Sequence, residues 1–279
     1  MNRYAVWGNP IHQSKSPRIH QLFAEQLRKE ISYEAKLGDE TLFEQQINDF
    51  FNTGAIGANI TAPFKERAFQ LADEHSENCK QAGACNTLKR LSDGRLYADN
   101  TDGIGLVTDL KRLNWLDKNQ RILILGAGGA TKGVLYPLLQ AQQKITLYNR
   151  TIEKAVSLAQ YFAKYGEIQT ACLEQLSNQK FDLIINATSL GLQGKYVELP
   201  RDLLHQAKIY DMQYAPHKNT PFINFAKQHS IADYRDGLGM LVSQAAYAFE
   251  LWEGFFPNIA DTLEILENEM NNTNSTNSY

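Results

Sequence analysis

Four kinds of segment in this sequence are equipped for chemistry: a lysine at a helix start, an aspartate beside a turn, a pair of serines at a helix start, and a glycine-rich loop. In Asn59-Ile60-Thr61-Ala62-Pro63-Phe64-Lys65 an apolar strand runs into a helix with Pro63 at an early position, which puts Lys65 in the first helical turn. The helix dipole there disfavours the ammonium form, and with partial desolvation such a lysine can exchange protons in a useful range. Taken alone, a lysine at this position is more often a solvated surface residue. In Asn100-Thr101-Asp102-Gly103, Asp102 precedes a helix with apolar positions Ile104, Val107, Leu110 and Leu113. Two readings stand for it, a plain N-cap and the partner that fixes Lys65. Ser14-Lys15-Ser16-Pro17 offers two hydroxyls at a helix start, with Ser16 as N-cap and Pro17 at the first helical position. Hydroxyls, free N–H groups and the dipole suit a small carboxylate, although a Ser-Pro cap without a ligand is commoner. Gln13, Asn86 and Gln244 carry no signal by themselves.

The glycine-rich loop is Gly126-Ala127-Gly128-Gly129-Ala130, set between the apolar run RILIL and a helix from Thr131 to Leu139. Glycines let a backbone approach a pyrophosphate, and the helix N-terminus attracts its charge. Thr131 stands where a GxGxxG fingerprint has its third glycine. Tight strand-to-helix turns also use glycine for packing, but the flanking strand and helix favour binding. The next strand, ITLY, ends in Asn149-Arg150-Thr151, with Lys154 one turn on. A site for NAD(H) usually places a carboxylate here, on the ribose 2′-OH. Two cations and two small donors instead favour the 2′-phosphate of NADP(H), since arginine grips phosphate through several N–H groups.

These residues need elements to hold them, and the 279-residue chain is long enough for two domains. Strand and helix patterns alternate throughout, which argues an α/β fold. The first part reads as a strand at Tyr4–Trp7, a helix carrying Ile19, Leu22, Phe23 and Leu27, a helix over Phe43–Phe51, a strand over Gly57–Ile60 and a hairpin turning at Asp93-Gly94. A helix from Gly103 to Trp115 leaves it. The second part adds a strand at Lys144–Tyr148, a helix at Glu153–Phe162, and the buried strands FDLIINA and AKIYDM, which predict a parallel sheet. A long apolar helix, LGMLVSQAAYAFELW, follows near the end. A net charge of −3 provides no basic field for nucleic acid or membrane. The three cysteines, Cys79, Cys85 and Cys172, form no CxxC pair, so a reduced compartment is expected and no metal. No leader or membrane-spanning run is read, and NNTNSTNSY is expected to be a frayed tail.

The ordered set of segments is more specific than any one of them. GNPIHQSKSP, NITAPFKE, ACNTL, DNTDGIG, GAGGATKG, NRT, NATSLGL, DMQY with TPF, and DGLGMLVSQAA occur in the order seen in shikimate dehydrogenases. The sequence resembles that family from residue 4 to about residue 252. The resemblance implies an N-terminal α/β substrate domain plus a Rossmann-type NADP-binding domain with a cleft between them. The boundaries expected are 1–102 for the substrate domain, 103–236 for the NADP domain, 237–270 for helices packing back on the substrate domain, and 271–279 for a flexible tail. It implies reversible NADPH-dependent reduction of 3-dehydroshikimate to shikimate, toward chorismate and aromatic amino acids. It also implies a cytoplasmic monomer or homodimer with a small-molecule substrate.

By the same resemblance, Ser14 and Ser16 hold the shikimate carboxylate, and Thr61, Asn86 and Asp102 bind ring hydroxyls together with Tyr214 and Gln244. Lys65 is the acid/base residue, with Asp102 beside it. Gly126, Ala127, Gly128, Gly129 and Ala130 cradle the pyrophosphate, and Asn149, Arg150, Thr151 and Lys154 clasp the 2′-phosphate. Thr188, Met212 and Gly237 lie along the ribose and nicotinamide, and Glu77 joins the cofactor group. Three positions depart from the family pattern: Gln13 where many members have histidine, Ile60 for valine, and a longer loop, APHKN, after Tyr214. Two other readings share part of these features, a quinate/shikimate dehydrogenase of relaxed specificity and a non-catalytic NADP(H)-binding sensor. The sensor would have no use for Lys65, Asp102, the two serines or Gln244.

Overall fold

The computed structural model describes residues 1–215 and 219–276, with side chains described to residue 272. The chain divides into two compact units, residues 1–105 with 242–265, and residues 106–241 with the segment from Leu266 on. In chain order the elements are β1 (Asn2–Gly8), α1 (Ser16–Leu27), β2 (Ile31–Leu37), α2 (Phe43–Asn52), β3 (Gly57–Ile60), α3 (Lys65–Leu71), β4 (Glu74–His75), α4 (Glu77–Ala82), β5 (Thr87–Arg90), β6 (Leu96–Asp99) and α5 (Asp102–Arg112). They continue with β7 (Arg121–Leu125), α6 (Gly129–Gln140), β8 (Lys144–Tyr148), α7 (Ile152–Phe162), β9 (Ile168–Thr170), α8 (Leu173–Leu176), β10 (Leu183–Asn186), α9 (Arg201–Leu204), β11 (Lys208–Asp211), α10 (Pro221–Gln228), β12 (Tyr234–Arg235), α11 (Leu238–Glu253) and α12 (Ile259–Thr276).

The first unit is built on a six-stranded mixed sheet in the order β2-β1-β3-β5-β6-β4. Strands β1 and β3 are parallel, with Trp7 opposite Ile60, whereas β5 runs antiparallel to β3, with Thr87 opposite Asn59. Strand β6 is antiparallel to β5, pairing Asp99 with Thr87. This register brings the ends of β1, β3 and β6 and the start of β5 to one edge of the sheet. Every residue expected to bind substrate from this part of the chain follows one of those ends or precedes that start. Phe43, Ile47, Phe51, Ile60, Phe64 and Leu88 fill the core on one face. From α11, Trp252 lies against Gly57, and its indole N–H donates to the Leu88 carbonyl at 3.0 Å.

In the second unit all six strands are parallel, in the order β12-β11-β10-β7-β8-β9. Numbered within the unit this is 3-2-1-4-5-6, the doubly wound order of dinucleotide-binding folds. The apolar runs follow from burial on both faces. Ile122, Ile124, Ile145 and Leu183 face a core shared with α5, α6 and α7, while Leu123, Leu125, Ile184 and Ile209 face one shared with α9 and α10.

Three local expectations are corrected. Lys15, not Ser16, is the N-cap of α1, and Ser14 Oγ accepts the Ser16 N–H at 3.2 Å. Pro63 precedes helix α3, which Lys65 opens. Residues 271–276 continue α12 instead of forming a tail, because extending an existing helix adds a hydrogen bond for each residue fixed. Residues 277–279, and residues 216–218 of the loop after Tyr214, lie outside the described residues.

Candidate active site

At the sheet edge of the first unit, Lys65 Nζ lies 2.7 Å from Asp102 Oδ2. The pair is about one-third and one-fifth exposed, 33% and 22%, so it is reachable by a ligand yet screened on its other sides. Asn86 Nδ2, with two hydrogens to give, lies 3.0 Å from Asp102 Oδ1, 2.8 Å from Thr101 Oγ1 and 3.2 Å from Gln244 Oε1. Asn86 is buried, so its amide is a fixed part of the wall. Gln244 reaches this point because Gly105 lets α11 approach: a Cβ at residue 105 would meet Gln244 Cβ at 2.8 Å. Asp102 opens α5 after an Asx-type turn in which Asn100 Oδ1 accepts the Asp102 N–H at 3.1 Å.

Thr61 follows β3 and packs on Gly8, where a Cβ would meet its Cγ2 at 2.4 Å. Its N–H donates to the Trp7 carbonyl at 2.9 Å, and Asn9 N–H to the Ala62 carbonyl at 3.1 Å. The loop carrying Ser14 and Ser16 is thereby tied to the loop carrying Thr61. Ser16 is buried, and burial pushes the ionisation of the Tyr33 hydroxyl well above the usual range, with Ser16 opposing it less strongly. His12 and Gln13 are both exposed. Ser14, Ser16, Thr61, Lys65, Asn86, Asp102 and Gln244 all belong to this one unit. Tyr214 belongs to the other, where burial and then Asp236 raise its hydroxyl pKa. Glu77 opens α4 in the first unit, and its carboxylate accepts the Gln81 amide at 2.6 Å.

The remaining expected cofactor residues follow the carboxyl ends of β7, β8, β10, β11 and β12, where ligands bind in doubly wound sheets. Gly126 has φ +109°, a conformation open to glycine. A Cβ at Gly128 or Gly129 would meet no protein atom within 4 Å, so internal packing does not explain these glycines; they leave backbone open to a ligand. Gly128 caps α6 without a side-chain hydrogen bond. Thr131, buried, donates from its hydroxyl to the Gly126 carbonyl at 2.8 Å and so braces the turn where the fingerprint has glycine. Asn149 ties the neighbouring loop to it, accepting the Ala127 N–H at 3.1 Å and donating to the Thr151 carbonyl at 2.7 Å. Arg150, Thr151 and Lys154 are exposed beside it. This donor set fits a dinucleotide with a phosphate on its ribose.

A buried polar cluster, unread in the sequence, supports the far side of that site. Asp211 Oδ1 accepts Asn186 Nδ2 at 3.0 Å, and its Oδ2 accepts Thr220 Oγ1 at 2.6 Å. Burial raises the Asp211 pKa above the usual carboxylate range. Asn186 Oδ1 in turn holds the Thr188 hydroxyl at 2.7 Å. Met212 N–H donates to the Asn186 carbonyl at 3.0 Å, and Gly237 lies on Met212, whose carbonyl oxygen would be 2.3 Å from a Cβ there. Among the described residues no cluster of His, Cys, Asp and Glu could hold a metal ion, and no helix is long and apolar enough to cross a membrane.

A doubly wound unit with a phosphate-ready glycine turn, joined in one chain to a unit bearing a Lys–Asp pair, defines a dinucleotide-dependent oxidoreductase. Residues 6–88 match the shikimate dehydrogenase substrate binding domain, 110–193 the shikimate / quinate 5-dehydrogenase family, and 237–267 the shikimate 5'-dehydrogenase C-terminal domain. The chain belongs to the NADP-dependent shikimate dehydrogenases. It is 69% identical over 270 residues to the shikimate dehydrogenase (NADP(+)) of Glaesserella parasuis serovar 5 (strain SH0165), covering 97% of this chain and 99% of that one. An Ael1 enzyme from Pseudomonas putida has a similar structure, with TM-score 0.89, 42% identity and 95% and 98% of the two chains covered. So has the shikimate 5-dehydrogenase from Thermus thermophilus in complex with NADP(H) and shikimate, with TM-score 0.85, 32% identity and 96% and 99% covered.

Proposed function

We propose that Lys65 is the proton donor and acceptor, and Asp102 its partner, in the reversible NADPH-dependent reduction of 3-dehydroshikimate to shikimate. The observation that carries this reading is the 2.7 Å Lys65–Asp102 pair, whose second carboxylate oxygen is held by the Asn86 amide. NADPH, when bound, supplies the hydride; Gly126 to Ala130 would hold its pyrophosphate, Asn149, Arg150, Thr151 and Lys154 its 2′-phosphate, and Thr188, Met212 and Gly237 its ribose and nicotinamide. The ketone oxygen gathers negative charge as its carbon is reduced, so an oriented ammonium stabilises the transition state more than the ground state. Lys65 then delivers the proton to that oxygen, and in the reverse direction removes it. Asp102, a carboxylate already holding two donors, keeps Lys65 Nζ oriented and offers its remaining lone pairs to a ring hydroxyl. Thr61, Asn86 and Gln244 line the same edge for the other hydroxyls, and Ser14 and Ser16 take the carboxylate. Tyr214 completes the substrate contacts, and Glu77 is assigned to the cofactor group.

The test is nicotinamide absorbance with shikimate and NADP⁺, shikimate and NAD⁺, and quinate and NADP⁺. Fast reduction with shikimate and NADP⁺ alone is expected; comparable rates with quinate would move the protein to the relaxed-specificity enzymes. Lys65→Ala should lose most of kcat and leave the shikimate KM nearly unchanged. A raised KM with kcat preserved would make Lys65 a binding residue only. The protein is proposed to act in the cytoplasm, in keeping with its free cysteines Cys79, Cys85 and Cys172, as a monomer or homodimer.

A further inference from the structure

We infer that Tyr33, Asn59 and Thr87 are positioning residues: they form a one-way chain of hydrogen bonds that holds the Asn86 amide, and through it the Asp102 carboxylate, in place against Lys65. The inference rests on the proposed role of the Lys65–Asp102 pair and extends it to three residues that touch neither substrate nor cofactor in that reading.

Two backbone groups determine the direction of the chain. Thr101 N–H, which can only donate, lies 2.9 Å from Asn86 Oδ1, so that atom is the oxygen and Nδ2 faces Asp102. Thr87 Oγ1, 2.9 Å from the same oxygen, must therefore donate to it. With its one hydrogen committed, Thr87 accepts from Asn59 Nδ2 at 3.1 Å. The Asn86 carbonyl, which can only accept, takes the same Nδ2 at 3.2 Å, so Asn59 turns Oδ1 toward Tyr33. The Tyr33 hydroxyl donates to it at 2.6 Å. Its oxygen is left to accept. Each bond therefore points from Tyr33 toward Asp102, and the last acceptor is a carboxylate.

Aligned donors polarise one another, and a low-dielectric setting strengthens each bond while raising the cost of losing one. That setting is present: Asn59, Thr87 and Asn86 are 6%, 0% and 3% exposed. Asn59 and Thr87 are paired across β3 and β5, so the sheet register itself holds the middle of the chain. At its start the His20 ring stacks on Tyr33, 4.3 Å between centroids and 9° from parallel. Asn86 bridges the chain to the active carboxylate.

Tyr33→Phe and Thr87→Val each remove one hydroxyl while nearly keeping shape. In shikimate oxidation each should lower kcat by about five- to tenfold, the net worth of a buried hydrogen bond, with the KM for NADP⁺ unchanged. The double variant should lose less than the product of the two, because both cut one chain. Thr87→Ser, which keeps the hydroxyl, should recover most of kcat. Should Thr87→Val fail to fold, Tyr33→Phe at its partly exposed position and Thr87→Ser carry the test. The inference is overturned if folded Tyr33→Phe and Thr87→Val keep kcat within about twofold of wild type, less than such a bond contributes. Losses that multiply, or a Thr87→Ser as slow as Thr87→Val, would overturn it too. Lys65→Ala and Asp102→Asn run beside them: if these two keep kcat, the reading of the pair fails; if they lose it while the chain variants do not, the chain alone fails.

Discussion

His20 gives the first unit a measurable weakness toward acid. Its ring is fully buried between Tyr33, Phe23, Phe249 and Trp252, and neither ring nitrogen finds a hydrogen-bond partner among the described residues. Burial lowers its pKa from 6.5 to about 3, and the nearby Asn59, which favours the cation slightly, does not offset it. A depressed folded-state pKa means that the unfolded chain takes up the proton first. Stability is therefore intact above pH 6.5 and is lost as the pH falls toward 3, below which the loss levels off. At about 1.4 kcal/mol per pH unit the loss is about 2 kcal/mol at pH 5 and approaches 5 kcal/mol at the low end. In His20→Phe the aromatic stack is kept and this linkage is gone. The assay is urea unfolding at several pH values, followed by tryptophan fluorescence in a shared Trp115→Phe background. Trp7 and Trp252, both in the first unit, are then the only reporters among the three tryptophans of the chain. Between pH 7 and pH 5 the stability of His20→Phe should gain about 2 kcal/mol on that of its parent, whatever their offset at pH 7. Parallel curves would refute the reasoning, since the ring would then bind protons alike in the folded and unfolded chain.

Arg150→Ala should raise the KM for NADP⁺ by about 10- to 100-fold, the loss of one charge-assisted contact, and change NAD⁺ use little; steady-state kinetics with both cofactors checks this. Ser14 accepts the Ser16 N–H and keeps its own hydroxyl hydrogen, whereas Ser16 is buried. Ser14→Ala should therefore raise the KM for shikimate more than Ser16→Ala does, a ranking that initial rates at saturating NADP⁺ will test.

How much of this was legible follows from the range of each signal. Strands RILIL and KITLY, the helix after the glycines and the Asn149-Arg150-Thr151 run are local patterns, and the structure forms β7, β8 and α6 where those patterns lie. Strand β2 carries a weak pattern, ISYEAKL, with glutamate and lysine on an edge strand, and with it Tyr33 went unread. Asn59 and Thr87 read as ordinary strand residues, because a lone polar side chain does not announce its partner. Thr131 departs from the glycine fingerprint, and only the fold places its hydroxyl on the Gly126 carbonyl.

The sequence by itself determined the alternating α/β order, the phosphate-ready turn and the run of cations after β8, since each depends on neighbours a few residues apart. Only the tertiary structure decided that Lys65 meets Asp102, 37 residues away, and that Asn86 meets Gln244, 158 residues away. Those meetings depend on strand order and register, which place distant segments at one sheet edge. The direction of the hydrogen-bond chain was decided last, because it needs both partners of every bond and the backbone groups that leave each side chain one role.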